Sequence, residues 1–108
     1  MHTRTKALGI TIAVKENVAD RDLFDGHTCC VLCGLPAPQY NRLAFSCAHY
    51  ISRSQGGLGV EENILTLCPK CHRRYDNTEE RAKLKPFFGR YLKSHYPEWD
   101  ETKLVYQK

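Results

Sequence analysis

The sequence has no long apolar run and no secretion signal. A helix that spans a bilayer needs roughly 18 or more consecutive apolar residues, and no stretch of the 108-residue chain approaches that length. The first residues, M-H-T-R-T-K-A-L-G, lack the apolar segment and the cleavage site of a signal peptide. We therefore expect a protein of the cytoplasm that has no membrane partner.

Internal repeats and low-complexity segments are also absent, which argues against collagen-like, coiled-coil and disordered chains. The hydrophobic fraction of 42% and the charged fraction of 26% are ordinary for a soluble globular protein. A chain of this length has room for one small domain, residues 1–108, whose apolar core is thin. Such a domain needs an additional source of stability.

Cysteine is abundant, and this abundance indicates metal binding more than disulfides, because a reducing cytoplasm keeps the six thiols free. Cys30 and Cys33 form one C-x2-C pair, and Cys68 and Cys71 form a second pair after 34 intervening residues. Gly34 permits the tight turn that points both sulfur atoms of the first pair at one position. Two such pairs predict a closed, structural zinc site, whose binding free energy of ~10–16 kcal/mol would be a large part of the stability.

The run L-C-P-K-C-H at residues 67–72 permits other interpretations, which the rest of the chain disfavours. C-x-x-C-H is the attachment motif of c-type haem, but that chemistry needs export and a distal axial ligand, and Met1 is the only methionine. A thioredoxin-like redox pair would lie in a βαβ unit, which the neighbouring segments do not form. Cys29 competes with Cys30 as a ligand at a looser spacing, and we interpret Cys29 and Cys47 as small buried apolar residues.

Apolar periodicity, glycines and prolines divide the chain into short helices and strands, which predicts a small α+β fold. The predicted segments, in order, are a loose arm over 1–9, a helix over 11–22, strands over 43–51 and 64–67, a helix from Cys68 through Tyr75, a helical run over 78–96 that Pro86 interrupts, and a tail after Trp99 that docks through Leu104, Val105 and Tyr106.

The positive charge is concentrated in one window. Sixteen Lys and Arg against twelve Asp and Glu give a net charge of +4, which suits a polyanionic partner without requiring one. A basic run is often only the solvated face of a helix, so by itself it does not predict nucleic-acid binding. The basic residues of the window are Lys70, Arg73, Arg74, Arg81, Lys83, Lys85, Arg90 and Lys93.

Two histidines and one aspartate have positions suited to chemistry. His72 follows the last cysteine of the predicted zinc site, so the metal would hold it rigidly in the first turn of a helix. Asp76 lies one turn further on the same face, where both side chains can reach one cation. His49 ends the first predicted strand, on the face opposite to Ala48 and Tyr50. Each also has an ordinary explanation, as a half-buried strand histidine or as a surface pair.

The order of these parts is more informative than any one of them. A strand that ends in C-A-H-Y-I, a glycine-rich loop that closes at Asn63, a second strand I-L-T-L and then L-C-P-K-C-H together resemble the HNH endonuclease family. The resemblance covers residues 30–77, and the flanks A-V-K-E-N-V-A-D-R-D and L-K-S-H-Y-P-E-W-D are similar to small phage and prophage members found in bacterial cells. It implies a zinc-stabilised treble clef with a ββα-metal motif, flanked by helices over about 11–22 and 78–96.

The resemblance also implies a role for each matching residue. His49 would be the general base that takes a proton from water as the water attacks a phosphodiester of DNA. Asn63 would brace the strand of His49 against the helix of His72, because an amide donates and accepts at once. His72 would bind a catalytic Mg²⁺ or Mn²⁺, or another divalent transition metal, at the scissile phosphate. No small-molecule cofactor is implied.

One position departs from the family pattern. Many members have an acidic or histidine metal ligand directly before the base, where this chain has Ala48. Either Asp76 supplies the missing ligand, with an oxygen that suits Mg²⁺ or Mn²⁺, or the site is impaired; Asn77 is a weaker candidate. An impaired chain would be a zinc-scaffolded nucleic-acid-binding or packaging-accessory module, and a purely structural interaction domain is a third reading. In the favoured interpretation, the phosphates of the duplex are bound by Arg53, Lys70, Arg73 and Arg74.

Overall fold

Four α-helices and two small antiparallel sheets form between residues 3 and 107, the range that the computed structural model describes, which confirms the predicted α+β class. The helices are α1 (Thr3–Leu8), α2 (Ile12–Arg21), α3 (Pro69–Asp76) and α4 (Thr78–His95). The strands pair as β1 (Leu23–Phe24) with β2 (His27–Thr28), and as β3 (Cys47–His49) with β4 (Ile64–Thr66). Within this range, no helix combines the length and the apolar character that crossing a membrane requires.

A hairpin followed by a helix forms the centre of the molecule. Strands β3 and β4 pair with His49 opposite Ile64, and both lie inside the predicted strands 43–51 and 64–67 but are shorter. Alternation along β3 buries Ala48 and leaves His49 half-buried on the other face. Helix α3 begins soon after β4, so hairpin and helix together form a ββα unit.

Helix α4 packs against α3 and supplies large side chains to the core. Phe88 and Leu92 are fully buried, and the Phe88 ring meets the ring of Tyr75 edge to face with centroids 4.9 Å apart. Burying a side chain of this size contributes about 1.5–3 kcal/mol. Leu65 and Leu67 are fully buried in the same cluster. The cluster therefore sets how α3 lies relative to β3 and β4.

The predicted interruption at Pro86 is wrong, because α4 runs unbroken with the proline inside it. A proline in a helix interior removes one hydrogen bond and costs roughly 3 kcal/mol. Two features offset this cost. Asn77 caps the helix, since its side-chain oxygen accepts hydrogen bonds from the N–H groups of Glu79 and Glu80, and the apolar side chains that follow the proline are held in the core.

The prediction of a loose arm over 1–9 is wrong for the part of it that the structure describes. Helix α1 occupies most of the arm, and the side chain of Leu8 is buried at its end. The carbonyl oxygen of Ala7 accepts a hydrogen bond from the N–H of Gly59 at 3.0 Å. A six-residue helix is too short to show periodicity in the sequence or to be stable alone, so contacts with the rest of the molecule hold it.

The tail after Trp99 and the helix over 11–22 are confirmed. Leu104 is buried, and Val105 pairs with Gly57 in an isolated β-bridge. The tail therefore covers the glycine-rich loop between β3 and β4. Helix α2 lies inside its predicted range.

A buried ion pair fastens α2 to β4. Arg21 Nε lies 2.8 Å from Asp22 Oδ1, and the guanidinium also donates to the carbonyl oxygens of Glu61 and Ile64. Asp22 accepts a further hydrogen bond from the N–H of Thr66. Burial alone would lower the pKa of Arg21, but the Asp22 carboxylate raises it overall, so the guanidinium stays charged.

Replacing Pro86 with alanine should stabilise the protein, because the position is exposed and alanine restores the helical N–H. After allowance for the larger entropy of the unfolded chain, we expect the free energy of unfolding to rise by about 1–2 kcal/mol. Urea unfolding of the metal-saturated protein measures this change. Lys83→Ala on the same helix is the control and should alter stability by less than about 0.5 kcal/mol. An unchanged or lower stability of Pro86→Ala would contradict the expectation.

Candidate functional site

Four cysteine sulfur atoms converge at one point. Those of Cys30, Cys33, Cys68 and Cys71 all lie within 4.8 Å of one another, and those of Cys33 and Cys68 are 3.7 Å apart. Four thiolates ~2.3 Å from a central ion in a tetrahedron are about 3.8 Å apart. The group can therefore hold a metal ion, as the two C-x2-C pairs predict.

Local backbone geometry aims each pair at this point. Gly34 has a φ of +81°, which favours glycine, and its N–H donates to the carbonyl oxygen of Cys30 at 2.9 Å. Cys68 is the N-cap of α3, and Pro69 takes the first helical position, where its missing N–H is not needed. Cys71 follows in the first turn. A metal bound here would join the turn after the first pair to the start of α3.

The four thiols do not ionise independently. Burial, reinforced by the neighbouring thiols, raises the pKa of Cys71. Burial also disfavours the charged form of Cys68, but the N–H of Cys71 and the neighbouring thiols hold the pKa of Cys68 below its ordinary value. Ionised sulfur atoms at this separation repel one another, so a bound cation would be needed to ionise all four.

The other two cysteines lie outside this group, and their predicted burial is wrong, because both are half-buried. Cys29 contacts the carbonyl oxygen of His27 at 3.4 Å, and Cys30, not Cys29, belongs to the four-cysteine group. Cys47 lies two residues before His49 in β3 and shares its more open face. Burial raises the pKa of the Cys47 thiol.

His49 lies at the end of β3 with one ring nitrogen already engaged. Nε2 is 2.9 Å from the carbonyl oxygen of Leu8, and because a carbonyl only accepts, Nε2 carries the proton and Nδ1 keeps its lone pair. Burial lowers the pKa of His49; the Leu8 carbonyl opposes this shift, and the positive charges of Arg53 and Arg81 lower the pKa further. The result is a neutral imidazole whose Nδ1 can accept a proton.

Asn63 is fully buried, and its side-chain amide is used at both ends. Oδ1 accepts from the N–H of Ile51 at 2.8 Å, and Nδ2 donates to the carbonyl oxygens of Ile51 at 3.2 Å and Leu58 at 2.8 Å. These bonds brace the glycine-rich loop against the segment after β3. The link to α3 that the sequence assigns to Asn63 is made by the Tyr75 hydroxyl, which donates to the carbonyl oxygen of Tyr50 at 2.9 Å.

Arg81 is a site residue that sequence reasoning missed. Its guanidinium donates to the carbonyl oxygens of His49, Tyr50 and Tyr75 at 2.8–3.1 Å and lies over the Tyr75 ring, 4.1 Å from its centroid. It therefore ties α4 to the end of β3 and to α3. In the sequence it is one member of a basic run, with no signal that separates it from its neighbours.

His72 and Asp76 face each other across one turn of α3. His72 Nε2 and Asp76 Oδ1 are 3.9 Å apart, and two ligands each ~2.1 Å from one Mg²⁺ ion are at most about 4.2 Å apart. Neighbouring ligands of an octahedral Mg²⁺ ion are about 3.0 Å apart, so the two side chains would have to approach each other by roughly 0.9 Å to bind one such ion side by side. Nδ1 of His72 lies 2.6 Å from the hydroxyl of Ser46, a residue that the sequence did not single out. In the tautomer in which Nδ1–H donates to Ser46, the lone pair of Nε2 would face Asp76.

A cavity of about 180 Å³ brings these groups together. Its lining includes His49, His72 and Asp76, and also Ala48, whose side chain has no ligand atom. Asn77, the weaker candidate for a ligand, uses its side-chain oxygen to cap α4. The structure thus places around one small space the two histidines and the aspartate that the sequence carries on separate elements.

The predicted phosphate-binding residues divide into two groups. Arg53 is exposed at the cavity and lines it. Lys70 and Arg73 are exposed on α3 but do not line the cavity. Arg74 is also exposed, and it forms an ion pair with Glu80 at 3.6 Å. Only Arg53 is therefore next to the candidate reaction centre.

The family model for HNH endonuclease matches residues 30–78, a segment that contains the four-cysteine group, the β3–β4 hairpin and α3. Residues 30–78 therefore match the HNH endonuclease family, as the resemblance in the sequence predicts, and that family is one of nucleases. A comparison with curated proteins found no match.

Asn63→Ala should destabilise the protein strongly, because it leaves the buried N–H of Ile51 without its acceptor. We expect the free energy of unfolding to fall by about 2–4 kcal/mol, measured by chemical denaturation of the metal-saturated protein. The matched control is Asn41→Ala, since that side chain is exposed and accepts one hydrogen bond, from the N–H of Leu43; it should cost less than about 1 kcal/mol. Equal losses in the two variants would argue against the bracing role.

Proposed function

We propose that the protein is a metal-dependent DNA endonuclease that hydrolyses phosphodiester bonds with weak sequence preference. The observation that carries the proposal is one cavity lined by His49, whose Nδ1 is free to accept a proton, and by the His72–Asp76 pair. The HNH domain supports it, because that family consists of endonucleases. By the same resemblance, the products carry a 5′-phosphate and a 3′-hydroxyl.

His49 is the general base in this proposal. Its Nδ1 accepts a proton from the attacking water, while Nε2–H holds the ring in place through the Leu8 carbonyl. Its lowered pKa keeps the imidazole unprotonated near neutral pH, as a base must be. General-base help is typically worth ~10²- to 10⁴-fold, so the metal and substrate positioning supply much of the remaining acceleration.

The proposal assigns different metals to two sites. The four-cysteine group holds zinc as a structural ion, because four sulfur ligands leave no open position. His72 and Asp76 hold Mg²⁺ or Mn²⁺, with Asp76 replacing the ligand that is missing at Ala48 and with positions left for water and phosphate. When bound, this ion supplies positive charge to a phosphate oxygen and to the departing O3′. Thiolate ligands suit a reducing compartment such as the bacterial cytoplasm, in keeping with a phage or prophage origin.

Several exposed basic residues near the cavity suit the backbone of DNA. Arg53 also lines a second cavity of about 420 Å³, which extends to Lys15 on α2, and Cys47 is common to both cavities. Lys70 and Arg73 are exposed on α3, the helix that carries His72 and Asp76. We infer that one strand of the duplex follows this path across the reaction centre, with its phosphates near these cations. Lys15 lies 38 residues from Arg53 in the chain, so only the fold brings it near the other basic residues.

The alternative is a nucleic-acid-binding module that retains the scaffold without cleavage. The observation in its favour is that Ala48, which lines the cavity, offers no metal ligand. It leaves unexplained why His49, His72 and Asp76 line the same small cavity. DNA binding without cleavage in every divalent metal tested would favour the alternative, and no DNA binding at low salt would favour a purely structural domain.

His49→Ala should abolish most cleavage, because no other group in the proposal removes the proton from water. We expect the rate of nicking of supercoiled plasmid with Mg²⁺ or Mn²⁺ to fall by about 10²- to 10⁴-fold, with zinc content unchanged. His95→Ala, which removes an exposed histidine of α4, is the control and should cut normally. Undiminished cutting by His49→Ala would remove His49 as the base.

The same assignment fixes the direction of the pH dependence. Because burial lowers the pKa of His49, the base stays active somewhat below its ordinary value of about 6.5. The rate of cleavage should therefore fall as the pH is lowered through a midpoint below about 6.5. A pH–rate profile of the residual cleavage by His49→Ala should lack this acidic loss of rate.

Asp76→Ala should lose metal-dependent cleavage while the zinc content stays unchanged, because Asp76 is exposed on α3 and lies outside the four-cysteine group. We expect a fall of at least about 10-fold at limiting Mg²⁺, partly recovered at high Mg²⁺. Plasmid nicking across a metal titration and zinc analysis of the same sample measure both quantities. Glu98→Ala removes an equal charge far along the chain and is the control. Normal cutting by Asp76→Ala would show that Asp76 does not replace the metal ligand that is missing at Ala48.

A further inference from the structure

The junction between α1 and α2 contacts the reaction cavity directly. The carbonyl oxygen of Leu8 accepts the hydrogen bond from His49 Nε2, and the Leu8 side chain is only 3% exposed. The carbonyl oxygen of Ala7 accepts from the N–H of Gly59 in the glycine-rich loop at 3.0 Å. Residues 7–9, called the junction segment from here on, are therefore attached both to the end of β3 and to the loop between β3 and β4.

The junction segment lies so close to the loop that only glycine fits at position 59. A Cβ on Gly59 would lie 2.0 Å from the carbonyl oxygen of Gly9 and 3.0 Å from that of Leu8. These are backbone atoms, which cannot swing aside as the end of a side chain can. A single methyl group at position 59 would therefore push the junction segment away from the loop.

The bond from Leu8 decides which nitrogen of His49 is basic. A neutral imidazole carries its proton on either nitrogen, and the partner of one nitrogen selects the tautomer. The Leu8 carbonyl selects Nε2–H, which leaves the lone pair on Nδ1, and it also limits rotation of the ring. The guanidinium groups of Arg53 and Arg81, whose charges act on the ring, have no acceptor atom that could replace this carbonyl.

We propose that the junction segment is a positioning element of the nuclease site, in which the Leu8 carbonyl holds His49 in the Nε2–H tautomer and in the orientation for catalysis. Leu8 is a positioning residue, because it contacts the base and not the substrate. The junction segment lies outside residues 30–78, the range that the family model matches, and it would nevertheless control turnover. This inference rests on the proposed function for its kinetic consequence, while the tautomer of His49 can be observed whether or not the protein cleaves DNA.

The first test is Gly59→Ala in the full-length, metal-loaded protein. Displacing the junction segment should lower kcat for plasmid cleavage by about 10-fold or more, within the ~10²- to 10⁴-fold that a general base contributes, and should change KM and DNA affinity by less than about 2-fold. Imidazole ¹⁵N–¹H correlation spectra, assigned with His49→Asn, should show the Nε2–H tautomer of His49 in the wild type and a mixture of tautomers in the variant. A folded Gly59→Ala protein with wild-type kcat and a wild-type His49 spectrum would overturn the proposal.

A matched pair of aliphatic truncations gives a second test that does not alter the loop. Leu8→Ala removes the buried side chain that anchors the junction segment, and Ile12→Ala removes a similar side chain that is 63% exposed. Leu8→Ala should lower kcat and mix the tautomers of His49 in the same way as Gly59→Ala, while Ile12→Ala should leave both unchanged. If Gly59→Ala does not fold, the comparison of Leu8→Ala with Ile12→Ala tests the proposal by itself. Equal kcat values and equal His49 spectra in these two variants would overturn the proposal.

Failure of the proposed function is distinguishable from failure of this inference. If the wild type cleaves no DNA in any metal, the endonuclease proposal fails, and the spectra still report on the junction segment. Loss of the Nε2–H tautomer in both Gly59→Ala and Leu8→Ala would then support the positioning contact. Retention of that tautomer in both variants would overturn it.

Discussion

The convergence of four cysteine sulfur atoms is the constraint on which the rest of the structure depends. It joins the turn after Cys30 to the first turn of α3, two parts of the chain that no strand pairing connects. In a chain of 108 residues, a metal bound at this point would replace contacts that a thin core cannot supply. Because His72 follows Cys71 directly, the same constraint sets where one half of the candidate site lies.

The other half is held by hydrogen bonds rather than by sulfur. Asn63 ties the glycine-rich loop to Ile51, and Arg81 ties α4 to the carbonyl oxygens at the end of β3. His49 is therefore positioned from three sides, since the Leu8 carbonyl adds a contact from the N-terminal segment. His49 lies on β3 and the His72–Asp76 pair lies on α3, and each of these elements is held by its own contacts. Both groups therefore face one cavity without depending on a flexible loop.

Sequence reasoning succeeded where spacing has a direct geometric meaning. The C-x2-C pairs predict the thiol group, the order of strand, loop, strand and helix predicts the ββα unit, and the four-residue spacing of His72 and Asp76 predicts that they share a helix face. It failed where distant packing outweighs local preference. Pro86 does not end α4, because a cap before it and buried side chains after it hold the helix together. Residues 3–8 form a helix only through their contacts with the rest of the molecule.

By itself the sequence determined which four cysteines lie together, the class of fold and the candidates for the chemistry, because these follow from residue type and from separations of a few positions. Only the tertiary structure decided what those residues face. Leu8 contacts Nε2 of His49, and Ser46 contacts Nδ1 of His72. Arg81 donates to three backbone carbonyl oxygens. Most of these hydrogen bonds join residues that are distant in the chain. No local pattern encodes such pairs, since each arises when the whole core packs and brings separate backbone segments within hydrogen-bond distance.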